Sequence, residues 1–168
     1  METPMEHVME FKKFDGTRIT DIHQYVKKWV EENPFGTVTV GCDSQEHPKY
    51  IQYAITITMH YVDDAGSGHG GHVVFCELAD RNKSMKTDLY TKLWAECELT
   101  VKAAEMVGDI GHKINVHLDY NSVPTEYSNV LYSSGIGYVN AMGFEAFGKP
   151  YSYTCHTADM IAKHKMKK

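Results

Sequence analysis

A chain of 168 residues with 42% hydrophobic and 23% charged side chains has the composition of one folded domain, which excludes disordered and fibrous classes. No stretch approaches the roughly 18 apolar residues of a membrane helix, and the first residues, METPMEHVMEFKKFDG, are too polar for a secretory signal, so the expected location is cytoplasmic. The net charge of −5 argues against a protein that coats nucleic acid non-specifically, since phosphate binding rests on clustered Lys and Arg, but it leaves room for a site rich in carboxylates.

In chain order, Ile22, Tyr25, Val26, Trp29 and Val30 recur at helical spacing and stop at Asn33-Pro34. They predict an amphipathic helix over about 18–33, ahead of a core over about 37–168 in one domain spanning 1–168. The β-branched run Thr37-Val38-Thr39-Val40-Gly41-Cys42-Asp43 predicts a first strand ending in a carboxylate, with a turn over Ser44 to Pro48. From Lys49 to Tyr61 the residues alternate, Ile51, Tyr53, Ile55, Ile57 and Met59 against Gln52, Thr56, Thr58 and His60, predicting a long strand with one buried face. Asp63 to Gly71 reads as a flexible loop, and His72 to Leu78 as the returning strand of a hairpin.

The longest helical signal runs from about Lys86 to Val107, closed by Gly108, with Leu89, Leu93, Cys97, Thr100, Val101, Ala104 and Val107 on one face. Lys113 to Asp119 is a second strand ending in a carboxylate, followed by a helix from Pro124 to about Ser133 and a glycine-rich stretch from Gly135 to Gly148. A final short strand is expected at Tyr151 to Cys155, and a last helix over Ala158 to about Lys165, with Thr157 as its N-cap. Cys42, Cys76, Cys97 and Cys155 lie far apart with no C-x-x-C pair, so they read as reduced core thiols. The lysines at 163, 165, 167 and 168 read as a solvated helix end or as phosphate contacts.

Asp43 and Asp119 each close an apolar strand, where a charge is costly unless paired or bound to metal. One such aspartate is ordinarily a turn cap. Two in one small domain point to a shared site at the strand ends, where α/β sheets hold their ligands.

The pieces Val40-Gly41-Cys42-Asp43-Ser44-Gln45, His117-Leu118-Asp119-Tyr120-Asn121, Gly143-Phe144, Lys149-Pro150 and Thr157-Ala158-Asp159-Met160-Ile161-Ala162, in this order, resemble the ribonuclease H superfamily. More narrowly they are similar to a bacterial family of ribonuclease-H-like proteins without an established function. The resemblance implies an α/β fold of the ribonuclease H type, with a mixed central sheet of about five strands, three antiparallel and then parallel, flanked by helices. It also implies a glutamate on the long helix as a site residue. At 100° per residue Glu96 falls beside Leu93 and Thr100 on the rim of the apolar face, whereas Glu98 points to the solvated side. Glu96 is therefore the expected one, its plainer alternative being a surface ion pair.

The implied chemistry is phosphodiester hydrolysis with two divalent ions, Mg²⁺ or Mn²⁺, which activate a water and neutralise the leaving oxygen. Asp43, Glu96, Asp119 and Asp159 are the implied metal ligands, with Asp43 bridging. His156, three residues before Asp159, is a candidate for the loop histidine that assists product release in some ribonucleases H, its plainer and more frequent reading being a polar residue at a strand end. His47, His69 and His72 lack convergent partners in the sequence, and Lys149, before Pro150, reads as a phosphate contact or, more plainly, as a surface lysine. The implied partner is nucleic acid, as RNA, RNA–DNA hybrid or structured DNA, with no membrane, and both monomer and dimer are open. A second reading is a non-catalytic ribonuclease-H-like binding or scaffold module, favoured by the modest supply of basic and aromatic residues.

Overall fold

The computed structural model describes residues 9–84, 86–121 and 129–149. Helix α1 spans Ile22–Glu32, its first turn capped by Asp21, whose carboxylate accepts from the Gln24 N–H at 3.0 Å. Its buried stripe is Ile22, Val26, Trp29 and Val30. Strands β1 (Thr37–Glu46), β2 (Ile51–Val62) and β3 (Gly68–Asp80) then form an antiparallel meander. Helix α2 (Leu89–Val107) carries the chain back across the sheet, and β4 (Ile114–Asn121) pairs parallel to β1 on the side away from β2. Helix α3 (Asn129–Ala141) leads to β5 (Glu145–Lys149), parallel to β4. The sheet order is β3-β2-β1-β4-β5, an α/β arrangement with antiparallel strands on one side and parallel strands on the other.

The period-two alternation decides which residues meet the helices. Val38, Val40 and Cys42 of β1 stand on one face with Ile51, Tyr53, Ile55, Ile57 and Met59 of β2, in register. They join Val26, Leu93, Cys97, Val101 and Ala104 of α1 and α2 in one apolar core. The other face carries Thr39, Thr56, Thr58 and His117, and these too are buried. The expectation of a single buried face for β2 is thus corrected: the strand lies between two neighbours in a sheet whose threonine-bearing face is also shielded from water.

Several boundaries also move. The first strand continues past Asp43 to Glu46, because Ser44, Gln45 and Glu46 keep their pairing with Tyr53, Gln52 and Ile51. Likewise β4 runs on through Asp119 to Asn121, so neither aspartate ends its strand. The expected flexible loop shrinks to a turn, since Asp63 accepts the N–H groups of Ala65 and Ser67 at 3.0 and 2.8 Å and β3 starts at Gly68. Helix α3 reaches Ala141 instead of stopping near Ser133, despite Gly135 and Gly137, because it packs on α2, β4 and β5. Strand β5 follows at Glu145, after Gly143 turns the chain with φ of 93°. The strand expected at Tyr151 to Cys155 and the helix from Ala158 lie outside the described residues.

Candidate functional site

The parallel ladder between β1 and β4 runs from Val38↔Ile114 to Gly41↔His117. Asp43 and Asp119 each stand two residues beyond this last pair, and β4 is irregular between His117 and Asn121 where it runs along β5. Asp43 is half-buried. The side chain of Asp119 lies outside the described part of the structure, as do residues Asp159 and His156.

Glu96 arrives from the helix layer. Leu93, Cys97 and Thr100 fix the phase of α2 by burying against the sheet, which leaves Glu96 only 4% exposed over the end of β1. There its Oε1 accepts a hydrogen bond of 2.5 Å from the Ser44 hydroxyl, a charge-assisted bond that offsets part of the cost of burial. Glu98 is half-buried on another side of the helix. After burial itself, its charge helps hold the Tyr138 phenol of α3 above the usual range.

Sequence reasoning missed two members of this neighbourhood. Ser44 is one, dismissed as a turn residue. Lys92 is the other: it lies one helical turn before Glu96, and its Nζ contacts Glu46 Oε1 at 2.7 Å. Burial works against the Lys92 charge, but the bond it donates to Glu46 and the negative charges of Glu96, Glu46 and Asp43 outweigh it and hold the ammonium above the usual lysine range. The Ser44–Glu96 bond brings Glu96 beside the β1 residue that follows Asp43. The signal that could have found Lys92 was its i,i+4 spacing from Glu96.

Basic and aromatic side chains gather at the same end of the sheet, because the β1–β2 turn and the end of β3 adjoin it through Glu46↔Ile51 and Ile51↔Asp80. His47 stacks on Tyr50 with ring centroids 4.3 Å apart, and the Arg81 guanidinium lies 5.3 Å from the Tyr50 ring centre. Lys49 and Arg81 are exposed. His69 instead closes the far hairpin against Asp63 at 2.7 Å, and His72 bonds the Tyr25 hydroxyl at 2.5 Å. Behind the site His117 is 3% exposed, and burial, helped by the nearby His60, pushes its pKa down to about 4.

The donor set is chemically suited to a hard divalent ion: Asp43 and Glu96 offer carboxylate oxygens, while Cys42, Cys76 and Cys97 are buried thiols. Among the described residues no three His, Cys, Asp or Glu side chains converge on one point, so a closed metal centre needs donors beyond Asp43 and Glu96. No helix among the described residues is long and apolar enough to cross a membrane.

A family model of ribonuclease H-like proteins matches residues 17–163. No curated protein and no solved structure matches the chain. The family match spans the whole meander, the long helix and the parallel strands, in the order the resemblance implied, and the chain belongs to the ribonuclease H-like family.

Proposed function

We propose that this domain is a divalent-metal-dependent nuclease that hydrolyses phosphodiester bonds in RNA, RNA–DNA hybrid or structured DNA. The observation that carries the reading is a nearly buried Glu96 held by Ser44, the residue that follows Asp43 on β1. A carboxylate is not kept at such a place for stability, since an apolar residue would cost less. Asp43, Glu96, Asp119 and Asp159 would hold Mg²⁺ or Mn²⁺, two ions in all. When bound, the metal supplies an activated water and charge neutralisation at the leaving oxygen. Ser44 fixes the Glu96 carboxylate in place, and Lys92 balances charge at the site's edge. His156 assists product release. Lys49, Arg81 and the His47–Tyr50 stack supply the cations and ring faces that a nucleic-acid strand needs beside the carboxylates, which favours this reading over a scaffold module.

The test is a panel of labelled hybrid, duplex RNA, single strands and four-way junction incubated with Mg²⁺ or Mn²⁺. At least one substrate should be cleaved by the wild type and none by Asp43→Asn. That variant should also leave the thermal stability of the metal-free protein level or raised, since it removes a half-buried charge. Cleavage by Asp43→Asn at the wild-type rate removes the site from Asp43.

A further inference from the structure

Lys92 is held at the carboxylates by two elements at once. On α2 it precedes Glu96 by four residues, so both side chains leave the same helix face. On β1, Ser44 and Glu46 alternate onto the same sheet face. The outcome is a pair of adjacent bonds joining α2 to the end of β1, Ser44 to Glu96 at 2.5 Å and Lys92 to Glu46 at 2.7 Å. The Lys92 side chain is only 18% exposed there, so its charge is poorly screened by water.

We propose that Lys92 is a resident counter-ion of the carboxylate site, tethered by Glu46, and that it sets how tightly the site binds a divalent cation by opposing that cation's charge. This rests on the metal-site reading above. Lys92 touches neither substrate nor reacting atoms and acts through the field it places on Asp43 and Glu96. Glu46 contacts it directly, and the negative charges of Glu96 and Asp43 also favour its protonated form. A single positive charge several ångströms from a divalent ion, in a partly buried setting, changes the ion's affinity by about tenfold. The site is therefore tuned to weaker metal binding than its carboxylates alone would give.

An ordinary surface ion pair with Glu46 predicts no such effect, and calorimetric titration of Mn²⁺ into the full chain separates the two. Lys92→Gln should bind Mn²⁺ about tenfold more tightly than the wild type. Lys92→Arg, which keeps the charge, should bind like the wild type. Lys92→Met preserves the apolar stem and serves in place of Lys92→Gln should the latter fail to fold by circular dichroism. Unchanged or weaker Mn²⁺ binding in the neutral variant, or tight binding by Lys92→Arg, overturns the inference while leaving the metal site standing. Absence of Mn²⁺ binding by the wild type and the neutral variant alike removes both.

Discussion

Holding a carboxylate at 4% exposure, as at Glu96, costs several kcal/mol unless charge-assisted bonds or a cation offset it. Glu98, two residues on and half-buried, bears no such cost. Helical phase in the sequence separates the faces of the two, though Glu98, expected on the solvated side, is half-buried; the Ser44 bond and Lys92 were not legible there, since both depend on contacts between α2 and β1. In a cleavage assay Glu96→Gln should lose at least a hundredfold in rate and Glu98→Gln almost nothing, and a reversed ranking would remove Glu96 from the site. His117 gives a separate residue-scale outcome in metal-free protein. Its folded pKa of about 4 lies below the ordinary histidine value of about 6.5, so the unfolded chain takes up a proton first as pH falls. Its contribution is intact above pH 6.5 and is lost between there and pH 4, by up to about 3 kcal/mol. Urea denaturation across this range should show a steeper loss for the wild type than for His117→Asn, and parallel curves would contradict it.

At the scale of elements, the strongly patterned segments were legible and the weakly patterned ones were not. Helix α1, strand β2 and helix α2 announce themselves by period, and their boundaries moved by only a few residues. Strand β5 and the second half of α3 did not, because Gly135, Gly137, Gly143 and Gly148 dilute the pattern and tertiary packing on β4 overrides local propensity. The extension of β1 to Glu46 was hidden by the turn-like composition of Ser44 to Pro48, yet it is what positions Ser44 and Glu46 beneath α2. The junction of α1 with the sheet shows how tightly these elements are fitted. A Cβ on Gly36 would run into the Trp29 ring and come within 2.9 Å of the His60 carbonyl oxygen. Gly36→Ala should therefore destabilise the protein by about 1–3 kcal/mol, read as a lower midpoint in chemical denaturation, and an unchanged midpoint would show that Trp29 moves aside freely.

Over the whole molecule, the fold places the ends of β1 and β4, the start of α2, and the β1–β2 and β3–α2 connections at one edge of the sheet. That convergence turns a chain of net charge −5 into one with carboxylates and cations side by side, a distribution that composition alone conceals. The central claim is that Asp43, Glu96, Asp119 and Asp159, contributed by separate segments, share a metal. An unfolded chain cannot present them together, so metal bound to the native state alone adds about 2.7 kcal/mol at a hundred times Kd. The most direct measurement is the melting temperature with and without millimolar Mn²⁺, for the wild type and for the double variant Asp43→Asn with Asp119→Asn. A rise in the wild type that the double variant lacks is the predicted result, and a wild-type melting temperature indifferent to Mn²⁺ would contradict the account.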